Sequence, residues 1–301
     1  MNMEVNSFPK VTIGIPTYNG SKRILSCLES IWSQDYPNLE ILISDNCSTD
    51  DTQEVVKEIC KEHPEIKYVR QESNVGPTLN FCYLLKNASG KYFMWVSDDD
   101  KLEPAVLMKY VTFLEENSDY SLVSGRIRYW HNTVSDFLEG GFTITNNSPS
   151  VRVVRYYFMV VFGGMMHGLI PREIAQRIDL RNIIGNDYHY VANLIFLAKI
   201  KNFDFVGYNK NFGGMSKTFK GYARSIGETK FAANFPQIKI AIDAFAEVNH
   251  RSKVFHSLFF AQRLLLAMAS FFARLLCAYG RIAIWSRIRR RIINPVAKRL
   301  A

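Results

Sequence analysis

Four apolar runs in the first hundred positions each end at a cluster of polar residues, and the stretches between them carry apolar residues at helical spacing. Val11, Ile13 and Ile15 alternate with smaller residues and run into Pro16, which predicts a first strand over residues 10–15. Leu39 to Ile43, Ile66 to Val69 and Tyr92 to Val96 read as three further strands. Between them, Ile24, Leu25, Leu28, Ile31 and Trp32 share one helical face, as do Val55, Val56 and Ile59, and Leu79, Phe81, Leu84 and Leu85. The order β-α-β-α-β-α-β predicts a parallel sheet with helices on both faces. Open sheets of this kind take ligands at the carboxyl ends of their strands. The candidates are therefore Thr17-Tyr18-Asn19 after the first strand, Asp45-Asn46 after the second and Asp98-Asp99-Asp100 after the fourth.

The run Ser97-Asp98-Asp99-Asp100 carries the strongest chemical constraint. Adjacent carboxylates raise one another's pKa unless a cation lies between them, and oxygen ligands suit a hard ion such as Mg or Mn. A solvated acidic turn that caps the helix starting near Pro104 is the alternative.

The formal charge of +9 is unevenly placed. From Val248 to Ala301 there are eleven Lys and Arg and no acid, so the preceding residues carry 26 basic against 28 acidic side chains. The basic excess belongs to the C-terminal segment alone. Five cysteines without metal-like spacing argue against a disulfide framework or a zinc site, and MNMEVNSFPK shows no secretory h-region. A cytoplasmic chain is expected.

After Asp100 the spacing predicts a helix over 103–117, a strand pair from Tyr120 to Trp130, a loop from Thr143 to Ser150 and a strand near Phe203 to Tyr208. Gly163, Gly164 and Gly168 bracket Met165, Met166 and His167, which suits close backbone approach. From residue 227 onward the chain reads as helical.

The segments VTIGIPTYNG, SIWSQDYPNLEILISDNCSTDDT and WVSDDDKLEP resemble, in order and spacing, the inverting family 2 glycosyltransferases of GT-A fold, over Val11 to Tyr208. The resemblance implies an α/β, Rossmann-like fold with a mixed, mainly parallel sheet flanked by helices, and a C-terminal helical extension. It implies a catalytic domain, placed over 1–215; the residues that follow read as a mobile loop and a basic helical region over 216–301. Pro16, Thr17, Tyr18 and Asn19 would flank a nucleotide base, and Asp45 beside Asn46 would accept its imide N–H, which favours UDP. Tyr18 is otherwise an ordinary half-buried aromatic, and Asp45-Asn46 otherwise a capping turn into Ser48. Aligned on Pro104, Ser97 falls where many members have their first Asp, so Asp98 and Asp99 share the ribose role and Asp99 and Asp100 the metal, Mn or Mg.

Gly185-Asn186-Asp187-Tyr188 resembles the family's Glu-Asp signature with Asn186 in place of Glu, which makes Asp187 the expected catalytic base; a plain helix N-cap is the alternative. His167 is a candidate for acceptor or phosphate contact. Lys217, Lys220 and Arg224, in GGMSKTFKGYAR, are candidates to close over the diphosphate; a solvated basic loop is the alternative.

Arg263 and Arg274 interrupt the apolar stretch before Arg281, which disfavours a membrane span. Ile284, Trp285, Ile288 and Ile292 oppose Arg287, Arg290 and Arg291, which suits a helix lying on an anionic membrane; a helical subdomain packed on the body is the alternative. The expected partners are a nucleoside-diphosphate sugar and a glycan acceptor carried on polyprenyl diphosphate, with no nucleic acid. The rival functions are a sugar-phosphate nucleotidyltransferase, which would be expected to carry a Gly-rich basic loop after the first strand where this chain has Thr17-Tyr18-Asn19-Gly20, and a non-catalytic membrane-associated nucleotide-binding protein.

Overall fold

The computed structural model describes residues 8–131, 134–211 and 219–280. Strands β1 (Val11–Thr17), β2 (Leu39–Asp45), β3 (Ile66–Arg70) and β4 (Tyr92–Trp95) form a parallel set in the order β3-β2-β1-β4. Every residue of β1 and β4 is buried, as expected for central strands covered on both faces. Strand β5 (Lys101–Leu102) follows the acid run. Strands β6 (Tyr120–His131) and β7 (Val134–Glu139) form a hairpin, β8 (Ile170–Pro171) adds antiparallel to β4, and β9 (Lys199–Asn211) completes a second sheet in the order β5-β9-β6-β7.

The second half departs from expectation in its strands. The predicted pair within Tyr120 to Trp130 is one strand of 12 residues, whose neighbours are β7 and a parallel β9. The strand expected near Phe203 runs over 13 residues. Lys, Asn and Asp residues at both parities along β9 mask its period.

Two apolar clusters sandwich the first sheet. One joins Ile13, Ile24 and Leu28 to Tyr110, Leu114 and Ile127. The other joins Leu84, Phe93 and Trp95 to Tyr156, Leu194, Ile240 and Leu266, so C-terminal helices share the core of the first sheet. The helix Phe260–Gly280 is long and apolar enough, by length and composition alone, to cross a membrane. Its inner face nevertheless packs on the body. Arg274 is 2% exposed; it lies over the Tyr188 ring at 4.8 Å from the centroid and donates to the Val160 carbonyl at 3.1 Å. The outer face leaves Leu265, Met268, Phe272, Leu276 and Tyr279 exposed. The expected interfacial helix around residues 284–292, like Lys217, lies outside the described residues.

Candidate functional site

The loop after β1 is held by the chain itself. Thr17 is buried and its hydroxyl donates to Asp98 Oδ2 at 2.6 Å. Pro16 lies buried within β1, and Tyr18, 40% exposed, is the side chain the loop presents to solvent. Asn19 takes a left-handed backbone (φ 52°), donates its N–H to Ser48 Oγ and accepts from the Thr49 N–H. Gly20 closes the turn. A Cβ there would lie 2.3 Å from both Asp98 Oδ2 and Thr17 Oγ1, so no larger residue fits without moving them.

Asp45 is fully buried. Its Oδ1 accepts from the Ser48 N–H and hydroxyl at 2.9 and 2.5 Å, and its Oδ2 accepts from the Tyr68 hydroxyl at 2.7 Å, with Arg70 Nε at 3.6 Å. Asn46 accepts from the Val75 N–H and donates to Asn74. Both residues therefore tie β2 to neighbouring loops, and at most one Asp45 lone pair is left for a base.

The three acids of the run differ sharply in partners. Asp98 receives Thr17 and the Arg23 guanidinium, at 3.2 and 3.0 Å to its two oxygens; burial pushes its pKa up against these contacts. Asp100, 1% exposed, accepts from the Tyr208 hydroxyl at 2.9 Å, Lys210 Nζ at 3.3 Å and the Asn211 N–H at 2.7 Å. Asp99 has no hydrogen-bond or ion-pair partner among the described residues. Its pKa is raised by burial and then by Asp100 and Asp98. Two of the three carboxylates are neutralised from within the protein, and the third is open. Among the described residues, no group of three or more His, Cys, Asp or Glu side chains is arranged around a metal ion. Asp99 is thus the carboxylate with both oxygens unpartnered among the described residues, while Asp100, with three bonds, keeps at most one lone pair.

His167 and Lys210 meet beside this run. His167 Nδ1 lies 3.1 Å from the Trp95 carbonyl, and Nε2 lies 3.1 Å from Lys210 Nζ. Burial, followed by the Lys210 charge, lowers the His167 pKa to about 3, so the ring is neutral at physiological pH.

Across the crevice, Asp187 stands in the first turn of the helix Asn186–Leu197, after Gly185 in the left-handed region (φ 74°). Asp187 Oδ1 accepts from the Tyr188 N–H at 2.9 Å. The carboxylate presses on Gly163, where a Cβ would fall 1.5 Å from Oδ2. Burial raises its pKa, offset in part by the Tyr188 N–H and Lys210. Glu139, at the end of β7, accepts from the Tyr129 hydroxyl at 2.9 Å, and its pKa is pushed up to about 7 by burial, with Asp187 adding to the rise.

Hydrogen bonds and the Lys210 charge thus connect Thr17, Asp98, Asp99, Asp100, His167 and Asp187, while Tyr18 follows Thr17 on the exposed loop. Lys220 and Arg224 instead lie exposed on the helix Phe219–Ser225 and make no hydrogen bond or ion pair to the acid run among the described residues. Arg23, Glu139, Tyr208 and Lys210 were not singled out by sequence reasoning. Lys210 and Tyr208 lie 110 and 108 positions from the acid they touch, a separation that no local pattern reports.

Residues 12–165 match the family described as Glycosyl transferase family 2. Over 122 residues the chain is 34% identical to the putative glycosyltransferase EpsE of Bacillus subtilis, covering 40% of this chain and 43% of that protein. It is 35% identical over 118 residues to the GalNAc(5)-diNAcBac-PP-undecaprenol beta-1,3-glucosyltransferase of Campylobacter jejuni, covering 39% and 38%. The matched regions span less than half the length of these curated relatives. Among solved structures, S. aureus TarS 1-349 in complex with UDP-GlcNAc aligns with a TM-score of 0.62 at 19% identity, over 89% of this chain and 72% of that one. The mannosyltransferase PcManGT of Pyrobaculum calidifontis, in complex with GDP-Man and Mn2+, aligns at 0.55 and 18%, over 98% and 84%. These likenesses show that the fold is GT-A, while the matching segment from β1 to Met165 covers the loop after β1 and the acid run. The chain belongs to glycosyl transferase family 2.

Proposed function

We propose that the protein moves a sugar from a nucleoside diphosphate, with UDP preferred, to a hydroxyl of a lipid-linked glycan in surface polysaccharide synthesis, with inversion at the anomeric carbon. The observation that carries this reading is Asp187: a half-buried carboxylate of raised pKa, fixed at a helix start, facing the same crevice as the strand-end acids. A base of raised pKa is better matched to a hydroxyl proton than an ordinary carboxylate.

In this mechanism the exposed Tyr18 lies against the base and the Asp98 to Asp100 turn faces the ribose and diphosphate. Asp187 takes the proton of the acceptor hydroxyl as its oxygen bonds to the anomeric carbon. The bond from that carbon to the phosphate oxygen breaks, and the nucleoside diphosphate leaves with the electron pair. Asp99 would hold a divalent cation, Mn or Mg, with phosphate oxygens and water completing its shell, and the ion would stabilise charge on the departing diphosphate. The half-buried, unpartnered Asp99 supports this fit.

The lipid-linked acceptor and a place on the inner face of the membrane rest on two features. The outer stripe of the helix Phe260–Gly280 is apolar and exposed, with Arg274 turned inward, and the residues after it carry seven Lys and Arg and no acid.

The test is Asp187→Asn, assayed with nucleoside-diphosphate sugars that raise the melting temperature of the wild type. Loss of turnover by about 100-fold or more with donor affinity held within a few-fold is expected. Retained turnover would assign the base elsewhere.

A further inference from the structure

We propose that Lys210 is a donor-binding residue, a fixed cation that grips the diphosphate; the inference deepens the nucleotide-sugar reading and rests on it. An ammonium has three N–H groups. Here one goes to Asp100 Oδ2 at 3.3 Å and one to His167 Nε2 at 3.1 Å, and the third has no partner among the described residues. The two partners are themselves fixed. His167 places its Nδ1 proton toward the Trp95 carbonyl, which leaves Nε2 as the acceptor for Lys210. Tyr208 stacks on the His167 ring, with 4.7 Å between centroids, and its hydroxyl donates to Asp100. Side chains from the acid run, the turn Gly164–His167 and β9 thus hold one nitrogen in place.

Among the described residues Lys210 is the cation paired with Asp100, whose other donors, the Tyr208 hydroxyl and the Asn211 N–H, are neutral. Holding that charge takes one N–H, and the third, on a side chain 24% exposed, stays available to a ligand. Asp100, Asp99 and Asp187 each act on the Lys210 charge, so the ammonium lies near both the strand-end acids and the proposed base. That is where the bond from sugar to phosphate must lie during transfer. A compact ammonium suits phosphate oxygens, and a preset donor there stabilises the charge that develops as the diphosphate leaves.

The experiment is calorimetry of UDP and of uridine, in saturating Mn, with the wild type, Lys210→Met, Lys210→Gln and Lys210→Arg. Loss of one charge-assisted contact predicts that the Met and Gln variants weaken UDP by roughly 10- to 100-fold and leave uridine within about twofold, with Arg recovering part of the loss. Equal weakening of UDP and uridine, or none, would overturn the role of Lys210 and leave the nucleotide reading standing. A folded wild type that binds neither would overturn both. If the Met variant melts below the assay temperature, the difference between UDP and uridine in the Gln variant decides.

Discussion

Replacing Glu40 by Gln tests how the first sheet is held. Glu40, near the start of β2, is buried at 3% exposed, and every neighbour that bonds to it is a donor. The Thr12 hydroxyl lies at 2.6 Å, Lys67 Nζ at 2.6 Å, the Ser89 N–H and hydroxyl at 3.0 and 2.8 Å, and Lys10 Nζ at 3.4 Å. Burial pushes the carboxyl up, but the bonds from Lys67, Thr12 and Ser89 outweigh it and hold the pKa at about 2 against an ordinary 4.5. At 1.36 kcal/mol per pKa unit the lowering corresponds to about 3 kcal/mol, and because Lys67 reaches solvent we take about 2 to 3 kcal/mol as the loss in Glu40→Gln at pH 7. The amide keeps the shape and turns an NH2 toward donors. Since the folded pKa is depressed, the stabilisation is fully present above about pH 4.5 and is lost as pH falls toward 2. The gap between wild type and variant should therefore narrow by about 1 kcal/mol between pH 7 and pH 3.5. Urea unfolding followed by circular dichroism and tryptophan fluorescence measures it. A gap below about 0.5 kcal/mol at pH 7, or one unchanged with pH, would refute the claim that this carboxylate is held ionised by its donors.

Two further substitutions address the crevice. Gly163 has ordinary backbone angles (φ −87°), so Gly163→Ala acts only through its Cβ, which would fall 1.5 Å from Asp187 Oδ2; turnover should drop by about tenfold or more while UDP affinity holds, because misplacing a reacting group costs rate, and unchanged turnover would show that Asp187 need not sit where it does. Asp99→Asn should raise the Mn concentration for half-maximal activity by about tenfold or more, since an amide is a weaker ligand than a carboxylate, and an unchanged Mn titration would remove Asp99 from the cation.

Strands β1, β2 and β4 could be read from sequence because central parallel strands are buried on both faces and appear as apolar runs, whereas β3, at the edge, is largely half-buried or exposed. Asp98 to Asp100 and Asp187 were visible for a related reason: acids that interrupt such a run, or open a helix after Gly185, stand out locally. The second sheet was harder to read. Strand β9 alternates Lys, Asn and Asp with its apolar residues, and its partner β6 begins 79 positions earlier, so neither length nor pairing was set by a local pattern. The same separation hid Lys210 and Glu139, whose significance comes only from what the fold brings to them. Asn19, Asp45 and Asn46, expected to meet a nucleotide, have most of their polar atoms bonded to the loops after β1, β2 and β3 or to Tyr68 in β3. A polar residue at a strand end serves either ligand or loop, and only the hydrogen-bond partners distinguish the two.

The anomeric configuration of the first-formed product tests the central claim most directly. With an α-linked nucleoside-diphosphate sugar as donor, proton NMR during the first turnovers should show a β-linked product, because a base at Asp187 and a diphosphate leaving on the opposite face of the sugar allow a single displacement. An α-linked product appearing first would contradict direct attack by the acceptor and the assignment of Asp187 as its base.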